Sequence, residues 1–571
     1  MKNLIKNIAL AATVVATMAS CNDILDLNDT STFGDVAVWS SQSNADAYVT
    51  AAYKTFNDQS ALYAEEGAAS RNRYYDNYSD LMKSNFWWTI DFNQALMEPG
   101  FITKGQARFF DCWSATYSRI KRTNIMLNDL ERYGQKWGEE WYNIRRAEGR
   151  FCNAINYFFL ARVYGGVVIR TDHSGGGGWA DDGAYEQDKN RARVSEKETY
   201  NHIISELQWA AEYLPEKWDA AWTGRATKGM AYAFLSRIAL YAGEWKVAAD
   251  AAEKCAEYYS LVANYGELFD VNASQDNSKE IIFSIKGWQN VIRNGFDADN
   301  RPFGDRAVYN RSTYAMAEPT AELADMYEFK DGTEFSWQTY SANHSDPYTD
   351  REPRFHATIL YNGAKWEGRT IETFVGADDN IAEGADAYRK FDKNEDADGH
   401  TVTGYYLRKY LQEGHTAFTT EGSYNTDIVI RYGEVLLNKA EALAQLDYMA
   451  NNAKAFEALN AVRKRVGLPE KSLQDAPDLE GFMALIRKER AVELAGEGLR
   501  CWDIRRWKLG EKMINGQNVH GVKITKQANG EFTYETVDAD GGMKRIFNAN
   551  FYYLPLPSSE MAQNRLCVDN W

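Results

Sequence analysis

Apolar residues recur at intervals of three and four along much of the chain, the spacing that puts them on one face of a helix. In the stretch Arg145 to Gly166, Ala147, Phe151, Ile155, Phe158 and Val163 share such a face, and the paired glycines Gly165 and Gly166 end it. The stretch Thr227 to Tyr259 predicts two helices broken at Ala242-Gly243-Glu244. A second pair is predicted from Ile430 to Leu446 and from Asn452 to Val466, closed by Gly467 and Pro469. Within that pair, Ala455-Phe456 and Ala458-Leu459 alternate small and large side chains, so two helices can approach closely as an antiparallel hairpin. Between about Leu268 and Asn425 the pattern changes. Short apolar runs such as EIIFSIKG are separated by segments rich in Gly, Asp and Asn, which predicts loops and short strands laid on the helical frame.

The predicted fold is therefore mainly α: an irregular scaffold of helical hairpins resembling tetratricopeptide units, with a loop-rich, short-strand region for ligand binding. The expected organisation is a leader at residues 1–20, an N-terminal helical part at 21–267 and a C-terminal part at 268–571. The C-terminal part divides into loop-rich 268–425 and helical 427–515. The run HSGGGGWADDG lacks the Gly-Lys-Ser/Thr ending of a phosphate loop and reads as a flexible connection.

At the amino end, Lys2 and Lys6 flank a start that is apolar from Ile8 to Ala16, about half the ~20 residues a membrane-spanning helix needs. Met18-Ala19-Ser20-Cys21 resembles a bacterial lipobox, with Met18 where Leu is commoner. The expectation is cleavage before Cys21 and lipid attachment to its thiol, leaving a chain tethered to a membrane rather than threaded through it.

Composition narrows the function. Lys and Arg total 64 against 81 acidic residues, a formal charge of -17, and no basic run appears, which argues against nucleic acid as a partner. Beyond Cys21 the cysteines are Cys112, Cys152, Cys255, Cys501 and Cys567, an odd number without a C-x-x-C pair, so they read as small core residues. Aromatic residues make up 14 % of the chain, with 17 Trp and 35 Tyr, enough to fill a core and still leave rings to stack on flat ligands.

Six separated stretches, in order along nearly the whole chain, resemble the SusD/RagB family of surface lipoproteins that bind nutrients, chiefly glycans, for Bacteroidetes. They are CNDILDLN, RRAEGRFCNAINYFFLARVYGG, RATKGMAYAFLSRIALYAGEWKVAADAAEKC, IRYGEVLLNKAEALAQL with ALNAVRKRVGLP, IRKERAVELAGEGLRCWDIRRWKLG, and FYYLPLPSSEMAQN. The tail VDNW departs from a family pattern that often has Gly before its last aromatic. The resemblance implies a glycan-binding lipoprotein, not an enzyme, lipid-anchored and surface-exposed on the outer membrane. It would capture oligosaccharide or polysaccharide and hand it to a SusC-like TonB-dependent transporter. The alternatives are peptide capture, as in the RagB branch, and a secreted glycosidase with two carboxylates about 5–10 Å apart. H-E-x-x-H and G-x-S-x-G are both absent.

Ligand-binding candidates follow from the need for aromatic planes beside bidentate polar groups. The stretch Arg71 to Asn93 holds Arg73, Tyr74, Trp87, Trp88 and Asn93; Arg73, Trp88 and Asn93 look equivalent to an Arg, an aromatic and an Asn that contact sugar in the starch-binding member of the family. Trp87 and Trp88 are adjacent, so in extended backbone they point to opposite sides. A second wall is expected from Trp288, Trp337 and Tyr340. The charged stretch around Glu489, Glu493, Glu497, Arg500, Asp503, Arg505 and Arg506 is expected to fix helix packing rather than perform catalysis. Asn394, Asp396 and Asp398 before Gly399 resemble a calcium loop without its closing Glu, so a solvated acidic turn is expected, with no metal and no cofactor.

Overall fold

In the computed structural model the side chains of Ser41, Ser195, Thr227, Thr320 and Asp478 each cap the start of a helix. The structure describes residues 35–57, 74–87, 92–170, 191–270, 278–286, 295–310, 312–395, 397–414, 426–569 and 571. In chain order the elements that matter here are α1 (Gln42–Thr50), α2 (Trp113–Tyr133), α3 (Glu139–Tyr164), α4 (Glu196–Tyr213), α5 (Lys228–Ala242) and α6 (Trp245–Cys255). They are followed by α7 (Ala321–Met326), α8 (Pro353–Thr358), α9 (Tyr432–Arg465), α10 (Leu479–Glu493) and α11 (Arg500–Arg506).

Ser195 and Glu198 form a reciprocal capping box at the start of α4, and the Thr227 side chain accepts from the Met230 amide at the start of α5. Between α5 and α6, Gly243 takes a left-handed φ of 71°, which an L side chain rarely adopts, so the hairpin turns at the expected break. The second expected pair is two helices within Tyr432–Arg465 that meet at Asp447, whose backbone is extended (φ -167°, ψ 98°) and whose side chain accepts from the Ala450 amide (3.1 Å) as the cap of the second helix. The first helix ends near Leu446, as expected, and the second resumes directly after Asp447 rather than at Asn452.

Each helix packs on its neighbours in sequence: α3 on α2 and α4, α4 on α5, α5 on α6, and α9 on α10. The N-terminal and C-terminal helices join where α5 and α6 pack against α9. From Phe151 to Tyr164 every residue of α3 is buried, because α2 and α4 flank it on two sides.

The middle region supplies short strands. β1 (Ile281–Ile285), in the EIIFSIKG run, pairs antiparallel with β3 (Asp427–Arg431), immediately before α9. Two-residue β2 (Val375–Gly376) runs parallel to β4 (His520–Lys526), and β4 pairs antiparallel with β5 (Phe532–Asp538). This sheet stands at the edge of the loop-rich region and meets α7, which packs against β4.

The charged stretch lies inside the molecule. Glu493 accepts from Arg431 (2.6 Å), from Arg354 (3.0 Å) and from Arg465, while Glu489 binds Arg354 (2.6 Å) and Arg463 (3.1 Å). Glu497 holds Arg431 and Lys409, each at 2.7 Å, and Asp503 holds Arg490 and Arg506, each at 2.8 Å. These pairs tie α8, α9, α10 and α11 together, a structural use of charge as expected from the spacing. Trp502 in α11 is likewise buried, against Tyr75 and Phe110. Cys112, Cys152, Cys255, Cys501 and Cys567 are buried free thiols. Among the described residues no helix is long and apolar enough to cross a membrane.

Candidate ligand-binding surface

The expected first wall is largely turned inward. Tyr74 is 1 % exposed; its hydroxyl accepts from the Asn300 amide (2.7 Å) and its ring packs on Phe92 and Phe296. Asn93 is 2 % exposed, and the chain itself occupies its amide: Nδ2 donates to the Ser84 and Phe86 carbonyls (2.9 and 2.6 Å), and Oδ1 accepts from Lys83 Nζ (2.6 Å). Trp87 is also buried. Tyr74, Trp87 and Asn93 therefore brace the fold in this structure rather than line a surface. Phe86, beside Trp87, is the half-exposed ring, meeting half-exposed Tyr314 edge-on at 5.8 Å. Arg73, Trp88, Trp288 and Cys21 lie outside the described residues.

The second wall is a surface. Trp337 and Tyr340 sit on a loop whose turn is held by Ser336: its hydroxyl accepts from the Gln338 amide, and its carbonyl accepts from the Thr339 and Tyr340 amides. Along β5, alternation puts Phe532 and Tyr534 toward the body and Thr533 and Glu535 toward solvent. Tyr534 thereby reaches Trp337, with ring centroids 5.5 Å apart and planes inclined by 33°. Tyr340 stands nearly perpendicular to both, at 85° and 83°. Three half-exposed rings from two distant segments thus form a corner with a floor and a side.

The support beneath is rigid. Phe335 packs edge-on to Trp337 at 5.0 Å, and the Arg351 guanidinium lies over the Phe335 ring at 4.0 Å. Arg351 also donates to the carbonyls of Ala324, Tyr327 and Pro347, which anchors the loop to α7.

Two carboxyls serve this corner differently. Burial raises Asp346, but hydrogen bonds from Thr349 and the Tyr348 amide outweigh it and hold the group below its ordinary range, so it is ionised at neutral pH. Its charge raises the pKa of the Tyr340, Tyr534 and Tyr361 hydroxyls. Asp325, on α7, is pushed up to about 7, chiefly by burial and also by Glu322, against the pull of Arg351 and the Trp337 indole.

Asp325 therefore carries a testable cost. Its folded pKa lies above the unfolded value of ~3.9, so the native state binds the extra proton and stability falls as pH rises from about 4 to 7. Asp325→Asn is expected to be more stable than wild type by on the order of 1–3 kcal/mol at pH 8, with the gap closing towards pH 4. Urea denaturation at the two pH values checks this; an unchanged gap between them would contradict it.

The acidic turn near residue 396 is engaged within the protein: Asn394 Nδ2 donates to Asp392 (3.2 Å), and Asp398 pairs with Arg306 (2.8 Å). Asp396 lies outside the described residues. Among the described residues no group of three or more His, Cys, Asp or Glu is placed to hold a metal ion.

Comparison with known proteins gives the surface a context. Residues 279–570, just over half the chain, match the family model described as SusD family, and residues 23–240 match one described as starch-binding associating with outer membrane. SusD-like protein P2 of Formosa agariphila is 24 % identical over 472 residues, covering 80 % of this chain and 79 % of its own. A SusD-like carbohydrate-binding protein of Bacteroides fragilis superposes with a TM-score of 0.75 at 26 % identity, covering 92 % of this chain and 99 % of its own. A second SusD-like protein of B. fragilis gives 0.74 at 26 % identity, covering 94 % and 98 %. The order of helical hairpins and the match over the C-terminal half agree: this chain belongs to the SusD family.

Proposed function

We propose that the protein is a glycan-binding lipoprotein of the outer-membrane surface that captures oligosaccharide on the Trp337–Tyr340–Tyr534 corner. The observation that carries the reading is the corner itself. A sugar ring has apolar C–H faces and a rim of hydroxyls, and here inclined aromatic planes offer stacking faces while the ionised Asp346 acts electrostatically on the Tyr340 and Tyr534 hydroxyls. The carbohydrate-binding description of the B. fragilis relative and the starch-binding description of the N-terminal family model support it.

Asp346 is held in its ionised form, which accepts hydrogen bonds from sugar hydroxyls. The test is isothermal titration against a panel of polysaccharides and peptides, with a reducing-end assay in parallel. Glycan binding without reducing-end release supports the proposal; reducing-end release, or binding of peptides alone, overturns it.

Anchoring through Cys21 and delivery to a SusC-like TonB-dependent transporter complete the proposal, and the outer-membrane description of the N-terminal family model supports the location. Cys21→Ala is expected to move the protein from the membrane fraction to the soluble one without changing its melting temperature. Retention in the membrane fraction would contradict lipidation at this residue.

A further inference from the structure

A cleft of about 660 Å³ opens between α8 and the segment Arg408–Glu413. Its size falls in the ~300–1,000 Å³ range of small-molecule sites. Tyr265, Phe269, Trp366 and Tyr410, each nearly buried, form the floor. Asn264, His356, Arg408 and Glu413 form a polar rim.

The charges at the cleft are already matched. Arg465 donates to Glu280 (3.0 Å) and to Glu493, Lys409 holds Glu497 (2.7 Å), and Arg408 holds Glu413 (2.8 Å). An anion entering here would compete with carboxylates at hydrogen-bonding distance for each of these cations, so the site disfavours phosphates and acidic ligands. A neutral ligand meets no such competition.

Of these pairs, Arg408–Glu413 is the solvent-facing one, with side chains 30 % and 46 % exposed. An exposed pair of this kind is worth about 0–1 kcal/mol, so its donors and acceptors can be shared with a ligand at little loss. A guanidinium beside a carboxylate offers the donor and acceptor that neighbouring hydroxyls require.

We propose that this cleft is a second saccharide site, for a small, neutral, hydroxyl-rich ligand, distinct from the Trp337 corner; it rests on the reading of the protein as a glycan binder. The two are linked through the wall between them. His356 Nδ1 meets the Tyr361 hydroxyl at 2.9 Å, and the ring centroids of Tyr361 and Tyr348 lie 4.7 Å apart and those of Tyr348 and Trp337 6.5 Å apart.

Gly266 allows the cleft to be blocked. A Cβ there would lie 3.6 Å from Asn264 Oδ1 and 3.9 Å from Ala357 Cβ, ordinary contact distances beside two lining residues, so a larger side chain can be added without a backbone clash at its root. The experiment is saturation-transfer NMR on the whole chain carrying Cys21→Ala, with glucose, galactose, mannose, xylose and N-acetylglucosamine as probes and inorganic phosphate as competitor. At least one neutral sugar should give a signal that survives Trp337→Ala/Tyr534→Ala, resists phosphate, and falls about tenfold with Gly266→Phe. Arg408→Ala is the second variant, expected to weaken the same signal about fivefold with melting unchanged, and it decides the matter where Gly266→Phe does not fold. No sugar signal, a signal lost with the corner variant, displacement by phosphate, or indifference to both cleft variants overturns the proposal. Failure of the corner reading is separate: polysaccharide titration would then be unaffected by Trp337→Ala/Tyr534→Ala.

Discussion

Glu493→Ala is expected to destabilise the protein by about 3–5 kcal/mol, the scale for removing one partner of a buried ion network. Glu493 is 0 % exposed and accepts from three guanidiniums, those of Arg354, Arg431 and Arg465. Burial alone would raise its pKa, but the three cations overcome this and hold the carboxyl well below its ordinary range. Without it, three buried cations share the remaining carboxylates Glu280, Glu352, Glu489 and Glu497. The pH dependence has a definite sign. Because the folded pKa is depressed, the stabilisation is fully present above the unfolded value of ~4.3 and is lost as pH falls below it. Urea denaturation should show a constant gap between wild type and variant from pH 5 to 7 that narrows below about pH 4. A loss under 1 kcal/mol at pH 7 would mean that the network holds without its central carboxylate.

Trp337→Ala/Tyr534→Ala is expected to weaken glycan binding by about tenfold to a hundredfold, while each single variant weakens it several-fold. Aromatic stacking contributes about 0.5–1.5 kcal/mol per ring beyond burial, and every 1.4 kcal/mol is tenfold in affinity. Both rings are half-exposed and lie on a loop and a hairpin at the edge of the body, so melting should move by only a few degrees. The control is Trp502→Ala: that ring is 1 % exposed, and truncating it should cost ~3–5 kcal/mol with no specific effect on affinity. Isothermal titration and thermal melting on the same samples check both halves. Wild-type affinity in the double variant would place the ligand elsewhere.

The helical frame was legible from local signals. Apolar spacing marked α3, α5, α6 and α9, and Gly165 and Gly243 marked ends at residues with positive φ. The structural role of Glu489 and Glu493 was legible too, because their spacing puts both on one face of α10, and that face meets Arg354, Arg431, Arg463 and Arg465. The break after Leu446 was legible as well, but the start of the second helix was not, because the Asp447 cap restarts the helix at once.

The aromatic residues were harder to place. Trp337 and Tyr340 carried the signal of a ring in a polar loop, but so did Tyr74 and Trp87, which pack inward, and an amide such as Asn93 gives no local sign of being used up by its own chain. Tyr534 had only the alternation of its strand to mark it. Its meeting with Trp337 depends on β4 pairing with β5 and on α7 packing against that hairpin. By itself the sequence determined that the segments of α3, α5, α6 and α9 are helical and that the charges around Glu489 and Glu493 serve packing, because periodicity and glycine conformation act over a few residues. Which rings face solvent, and which cations at the cleft are already matched, only the tertiary structure decided, because both depend on what distant segments bring alongside.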